Sequence, residues 1–423
     1  MVAGAAAKQQ KHAAENAAKA PVVPRGYKRT ELGVIPEDWE VNAIGQLMKL
    51  INGRAFKPED WKHQGIPIIR IQNLNDHECE FNYCATPVEE KHRIIAGDIL
   101  FAWSGTTGTS FGARIWNGAT GVLNQHIFKV IADPRKLTSF YSFLILKKAQ
   151  EDIEKQAHGF KASFVHVKKA DLIKIFLPVP SLPEQQAIAQ VLSDVDGWVA
   201  SLDALIAKKR AIKTATMQQL LTGRTRLSGF SGEWEERKLG QIFDIKAGKS
   251  KNNNLMNGGR YIVADMGAVS SGGYLIATKR TNNKEDALQV GDLVMPKDDI
   301  GGGFIIGKVA YIDQNDLYVL GDHVYRLRNF EGDSKFLSYL INSHQINTSL
   351  RKKVSGSAQL GISRKSVEEQ EMVIPLPKEQ TAIANILSDM DAEIDLLEAK
   401  REKAVALKQG MMQELLTGKT RLI

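Results

Sequence analysis

Cysteine is nearly absent: Cys79 and Cys84 are the only two in 423 residues. Their C-x4-C spacing has no His or further Cys cluster beside it. Such a pair builds neither a disulfide framework nor a four-ligand zinc site, so they read as reduced thiols of a cytoplasmic protein, and no metal or cofactor is expected on this chain. No apolar run approaches the ~20 residues that a membrane-spanning helix needs. Met1–Ala20 is rich in Ala, Lys and Gln and has no apolar core of the kind a secretory signal carries. It reads as a frayed or weakly helical tail, which Pro21 and Pro24 separate from the rest of the chain. Catalytic signatures are missing too. Neither G-x-S-x-G nor H-E-x-x-H occurs, and the N-P-P-[YF] motif with which amino-methyltransferases hold a target amine is absent. Gly302-Gly303-Phe304-Ile305-Ile306-Gly307-Lys308-Val309 nearly spells a phosphate-binding loop, but Val309 stands where a hydroxyl must reach Mg2+.

What is present is an ordinary globular composition, 43% apolar and 25% charged, which excludes fibrous and wholly disordered chains. Lys and Arg total 56 against 48 Asp and Glu, a formal charge of +8. That balance favours an anionic partner, nucleic acid first.

The strongest signal is an internal repeat. Glu184-Gln185-Gln186-Ala187-Ile188-Ala189 returns as Glu379-Gln380-Thr381-Ala382-Ile383-Ala384, an offset of 195. The offset holds without a gap to Leu220-Leu221-Thr222-Gly223 and Leu415-Leu416-Thr417-Gly418. It reappears upstream, where Trp39, Gly45 and Gly53 pair with Trp234, Gly240 and Gly248. Between these anchors the match thins, although Gly97-Asp98-Ile99-Leu100 still resembles Gly291-Asp292-Leu293-Val294. His126 and His323 also fall at equivalent places, where a DNA-contacting or strand-anchoring role suits them better than catalysis, because no carboxylate recurs beside both. A whole domain is duplicated, since the period far exceeds that of a solenoid.

Each near-invariant segment reads as a long helix. Apolar residues fall at Ile188, Leu192, Val195, Val199, Leu202 and Ile206, and again at Ile383, Leu387, Met390, Ile394 and Leu397. Alternating steps of four and three mark a coiled-coil seam. Two such helices from one duplicated chain are expected to pair antiparallel. Ser181-Leu182-Pro183-Glu184 has the capping-box form, and Gly223 and Gly418 sit where a helix-ending glycine belongs. From Pro183 to Thr222 a helix would span about 58 Å at 1.5 Å per residue. Lys209, Lys213, Arg401 and Lys408 interrupt the seam, which leaves them to solvent or to a third partner.

The intervening parts read as mixed α/β. Strands are expected at Pro67–Ile71, Asp98–Trp103, Ile127–Val130 and Val324–Leu327, and helices at Leu137–Gln156 and Ser334–Lys353. Glycine runs at Ser104–Gly108 and Gly301–Gly303 mark exposed loops.

Leu32–Trp39, Gly97–Gly105, Pro178–Gln185 with its echo Pro375–Gln380, and the two Leu-Leu-Thr-Gly endings together resemble the specificity subunits of type I restriction–modification systems. The resemblance runs from Gly33 to the end of the sequence. It implies an α+β fold with two duplicated target recognition domains on two long helices, pseudo-two-fold symmetric, in which the antiparallel coil spaces the domains. The expected segments are a tail over 1–29, recognition domains at 30–180 and 227–376, and helices at 181–226 and 377–423. Each domain would read half of a bipartite, asymmetric duplex DNA site. The implied partners are two modification subunits, which carry S-adenosylmethionine and methylate adenine, and ATP- and Mg2+-dependent restriction subunits. The chain itself would then hold no catalytic residue. Base reading needs Arg, Asn or Gln in the major groove, and phosphate contacts need Lys, Arg, Ser or Thr. The candidates in the first domain are Arg54, Lys57, Arg70, Gln72, Asn73, Ser104, Thr106, Thr107, Gln125, His126 and Lys161. In the second they are Lys249, Lys251, Asn252, Asn253, Asn254, Lys297, Asp298, His323, Ser357 and Arg364. The competing readings are a fused methyltransferase or nuclease with unrecognised motifs, and a coiled-coil scaffold whose basic surface is incidental.

Overall fold

The computed structural model describes residues 23–76, 79–158, 163–251, 254–300, 302–356 and 360–423. The expected tail over Met1–Ala20 lies outside these residues, as do Pro21, Gly301 and the candidates Lys161, Asn252, Asn253 and Ser357. The chain packs as two compact units. The first takes in residues up to Ser201 together with Glu402–Ile423, and the second is Leu202–Arg401.

In the first unit, β1 (Met48–Asn52), β2 (Ile99–Ala102), β3 (Gly112–Ile115) and β4 (Ile127–Ala132) form an antiparallel sheet in the order β3-β2-β4-β1. β2 is buried at every position, as its unbroken Ile-Leu-Phe-Ala run requires. Helix α1 (Ser139–His158) packs Tyr141, Leu144 and Ile145 into the cluster that holds Leu50, Phe101 and Phe111. A second sheet sets Ile66–Ile69 parallel to Gly121–Leu123. Helix α2 (Leu182–Leu220) comes next.

The second unit repeats this plan. β5 (Phe243–Ala247), β6 (Leu293–Pro296), β7 (Ala310–Tyr311) and β8 (Val324–Asn329) pair in the order β5-β8-β6-β7, which is the first sheet's order read from its other edge. Tyr261–Ala264 again runs parallel to Tyr318–Leu320. Helices α3 (Ser334–Asn342) and α4 (His344–Lys352) cover the sheet, and α5 (Pro377–Leu415) closes the chain's elements.

Several expectations shift, among them the exposed loop expected from Ser104, where Ser104–Thr106 is a strand paired with Phe164–His166. The helix expected over Ser334–Lys353 is two helices, because Ser343 is extended at ψ 151° and its hydroxyl accepts from the Ile346 N–H to start α4. The strand expected through Ile71 ends at Ile69, where Asn73 Oδ1 accepts from the Arg70 N–H at 3.0 Å and opens a short helix. Tyr27–Thr30 is a strand paired with Gly33–Pro36, so β structure begins within the stretch read as tail.

Both long helices contribute a stretch to each unit. In the first unit Ile188 and Leu192 of α2 pack with Met412 and Leu415 of α5. In the second, Leu220 of α2 packs with Ile383, Ala384 and Leu387 of α5. The start of one helix thus meets the end of the other, and the pairing within each unit is antiparallel. Ile188, Leu192, Leu202, Ile206, Ile383, Leu387 and Ile394 are buried, while Val195, Val199, Met390 and Leu397 are partly buried. The four seam cations face neither solvent nor a third partner alone. Lys209 meets Glu393 at 2.6 Å, Arg401 meets Asp203 at 2.5 Å, Lys408 meets Asp196 at 2.5 Å, and Lys213 pairs with Asp391. Each helix carries acids opposite the other's cations, which periodicity of apolar residues does not register.

The capping box is only half formed. The Glu184 N–H reaches Ser181 Oγ at 3.4 Å, but the Glu184 carboxylate turns to Trp39 Nε1 (2.9 Å) and to Arg421. Arg226 holds the equivalent Glu379 through two bonds of 2.7 Å. Gly223 and Gly418 have φ of +67° and +71°, the left-handed geometry that ends a helix.

Candidate nucleic-acid interface

The two-sheet plan gathers strand ends. In the first unit β1 leads into Arg54, Ile66–Ile69 into Arg70, β2 into Trp103 and Ser104, and Gly121–Leu123 into Gln125 and His126. Main-chain bonds tie these ends together: Arg54 N donates to Leu123 O (2.8 Å), Asn124 N to Ile69 O (3.0 Å) and Trp103 N to His126 O (3.3 Å). The approach is close. A Cβ on Gly53 would lie 2.1 Å from Asn124 O, and one on the equivalent Gly248 would lie 1.7 Å from Gly321 O. Only glycine fits at either place, which gives that sequence anchor its physical reason.

Trp103 organises the first cluster. Its ring centroid lies 5.2 Å from His126, 4.9 Å from His166 and 5.9 Å from Phe128, and its Nε1 donates to Gln125 O at 3.1 Å. Gln125 Nε2 lies 3.2 Å from His126 Nε2. Arg54 stacks on Phe56 at 5.0 Å and approaches Asp60 at 3.8 Å. Arg70 stacks on Trp61 at 5.1 Å and donates to Asn82 Oδ1 at 2.8 Å. Lys57, Gln72 and Thr106 are exposed, Ser104 is half-buried, and the Thr107 N–H is bonded to Ser163 O at 3.0 Å. Asn73 is fully buried with its amide spent on local caps, so it presents nothing outward.

In the second unit the same strand ends bring Lys249, Lys297, Asp298 and His323 together, with Lys297 N donating to His323 O at 2.9 Å. His323 has φ +62°, a costly conformation for a non-glycine residue. Asp322 Oδ1 supports it by accepting from the His323 N–H at 2.7 Å. His323 Nδ1 lies 2.8 Å from Asp298 Oδ2, which fixes the ring and leaves Nε2 at its other end, 3.7 Å from Asp322. The segment carrying Arg364 joins this group through Ile362 N to Lys297 O (2.8 Å), and Arg364 pairs with Glu368 at 2.7 Å. Lys251 departs from expectation. Its side chain is only 3% exposed, and its ammonium faces Glu285 at 3.4 Å and Asp286 at 3.7 Å. Lys246, with Lys251 behind it, holds the Asp286 carboxyl below the usual carboxylate range. Asn254 is exposed and anchored by its backbone to Thr281 and Lys251.

Sequence reasoning missed Trp103 and His166 as neighbours of the site. The signal for Trp103 was its place directly after an apolar strand and before a Ser-Gly turn; His166 carries no such mark. Among the described residues no group of three or more His, Cys, Asp or Glu is placed to hold a metal, and no helix is long and apolar enough to cross a membrane.

Two copies of one reader, each presenting polar and basic groups where its strands end, define a duplicated nucleic-acid recognition protein. Residues 36–208 and 231–406 match the type I restriction modification DNA specificity domain, and the chain belongs to that family. It is similar to the type I restriction enzyme MjaVIII specificity subunit of Methanocaldococcus jannaschii, at 26% identity over 92% of this chain and 94% of the relative. The StySPI specificity subunit of Salmonella potsdam is 25% identical over 91% and 89%. The fold is that of the type I restriction-modification S subunit from M. genitalium, with TM-score 0.57 at 18% identity over 89% and 96% of the two chains. A chain from a structure on assembly and conformational transition of the type I system gives 0.55 at 14% identity, over 91% and 99%. The family's role is DNA specificity: it binds DNA within type I complexes, is not catalytic, and confers specificity on partner enzyme subunits. The fused-enzyme reading is left without support.

Proposed function

We propose that the two units each read one half of a bipartite, asymmetric duplex site and so direct adenine methylation or cleavage by partner subunits in the prokaryotic cytoplasm. The recognition domains in this reading are residues 30–180 and 227–376. The observation that carries it is the repeated gathering of Arg54, Arg70, Gln125 and His126 in one unit, and of Lys249, Lys297, Asp298 and His323 in the other, at equivalent strand ends. Arg and Gln supply base-reading donors and acceptors, and Asp298 accepts as a cytosine amine requires. Lys57, Lys249 and the threonines suit phosphate. The long helices are the part assigned to docking two modification subunits. S-adenosylmethionine belongs to those subunits, and ATP and Mg2+ to the restriction subunits.

The test is to purify the chain with its modification partner, map the adenines methylated in cellular DNA, and measure affinity for the mapped duplex against scrambled ones. Selective binding that weakens steeply with salt, through counterion release, is expected. Equal affinity for every duplex at moderate salt refutes the reading.

A further inference from the structure

One loop of the second unit does not fit a purely polar interface. After Asp298–Asp299 the chain exposes two large apolar side chains, Ile300 at 73% and Phe304 at 62%. The loop is rooted in the proposed reading group, because Asp298 pairs with Gly361 across a short ladder and Lys297 bonds to His323. The Phe304 ring rests against the Gly302 backbone. A Cβ on Gly302 would meet it at 2.9 Å, so that glycine's bare backbone supports the ring. The Arg351 guanidinium lies 5.5 Å from the ring centroid. An exposed aromatic ring beside a guanidinium is a poor solvent surface. It is a good match for a base face bordered by phosphates.

The equivalent loop of the first unit differs. It carries Thr106, Thr107 and Thr109, and its phenylalanine, Phe111, is fully buried against Phe101 at 5.6 Å. Within this loop the exposed phenylalanine belongs to the second unit; the first unit's exposed one, Phe164 at 60%, lies instead on the strand that pairs with Thr106.

We propose that Phe304, supported by Gly302 and Arg351, is a stacking wedge that enters a base step of the half-site read by the second unit and unstacks it. Apolar side chains inserted between bases act in this way in proteins that bend DNA, and the sequence dependence of unstacking adds discrimination without a hydrogen bond. The inference rests on the proposed reading of DNA by both units. Ile300 flanks the wedge and limits water at the opened step.

The experiment uses the full chain bound to its modification partner and duplexes carrying the mapped site. Single 2-aminopurines replace bases other than the methylated adenines, since a methyltransferase itself moves its target out of the stack. Wild type is expected to raise fluorescence at a step of the half-site read by the second unit. Phe304→Ala should abolish that rise and weaken specific binding about tenfold (about 1.4 kcal/mol), while Phe304→Trp should retain both. The proposal is overturned if wild type discriminates the site yet raises no fluorescence there, or if Phe304→Ala binds as wild type does. It is also overturned if Phe304→Ala impairs assembly with the modification partner and leaves DNA affinity unchanged, which would assign the ring to a protein contact. Failure of wild type to discriminate any duplex would instead bring down the underlying reading of DNA, and the wedge with it.

Discussion

Arg421 is the perturbation with the clearest consequence for the frame. Its guanidinium binds Asp38 through two bonds of 2.9 Å, binds Glu184 through two more, and lies 5.9 Å from the Trp39 ring centroid. Glu184 is fully buried. In Arg421→Ala that carboxylate keeps one side-chain donor, Trp39 Nε1. Leaving a buried charge without its partner costs about 3–5 kcal/mol. Arg421 is 28% exposed, so water reaches the vacated space and the loss falls to about 2–3 kcal/mol. At about 2–4 °C per kcal/mol for a unit of this size, the melting temperature drops by about 4–12 °C. Hydrogen exchange localises the effect: peptides over Tyr27–Ala43 and Met412–Ile423 should lose protection, and those over Leu293–Asn329 should not. Adding Glu184→Gln to Arg421→Ala removes the stranded charge and should recover part of the stability. A cost for Arg421→Ala below about 1 kcal/mol, or no recovery in the double variant, refutes the argument that a buried charge is at stake.

Gly418→Ala and Gly223→Ala both strain a left-handed backbone, by about 1 kcal/mol, but only Gly418 is crowded. A Cβ there would lie 2.3 Å from Pro36 Cδ, against 3.5 Å from Trp234 for Gly223, so urea unfolding should show the larger loss for Gly418→Ala. Burial, then repulsion from Arg114, pushes the Lys147 pKa down to about 8. The folded state then binds fewer protons than the unfolded state between about pH 8 and the ordinary lysine value near 10.4, and stability rises with pH across that window. Lys147→Met should lose this rise, which melting curves from pH 7.5 to 10 will show. Charge reversal of Arg54 and Lys249 together should weaken duplex binding at least tenfold and flatten its salt dependence. Unchanged binding would favour the scaffold reading.

The frame was legible because its signals are local and doubled. Apolar spacing in Ile188–Ile206 and Ile383–Leu397, and the glycines at 223 and 418, state a helix and its end without tertiary knowledge. The break at Ser343 was not legible, because the serine's hydroxyl offers the backbone a cap that apolar periodicity does not register. At the interface, residue type nominated Arg54, Gln125, Lys297 and His323, which the fold gathers at strand ends. The same rule nominated Asn73 and Lys251, which the fold buries. Whether a polar side chain points outward depends on partners far away in sequence, such as Glu285 and Asp286 for Lys251, and no local pattern carries that.

The ion pairs also explain why the helices repeat without gaps while the readers diverge. Lys213–Asp391 and Lys408–Asp196 are related by the offset of 195, as are Arg226–Glu379 and Arg421–Glu184. Each pair joins the late part of one copy to the early part of the other, inside a single unit. One residue inserted in the later half of α2 would turn Lys209, Lys213 and Leu220 by about 100°, away from Glu393, Asp391 and the cluster around Ile383. The same insertion in α5 would displace Lys408 and Met412 from Asp196 and Ile188. Both copies of the helix must therefore keep one length and one register. A reader strand such as β5 or β8 pairs only within its own unit, so a loop such as the one bearing Ile300 and Phe304 can change length and chemistry at no cost to the frame. Divergence collects there, and a surface that must tell one DNA sequence from another is served by it.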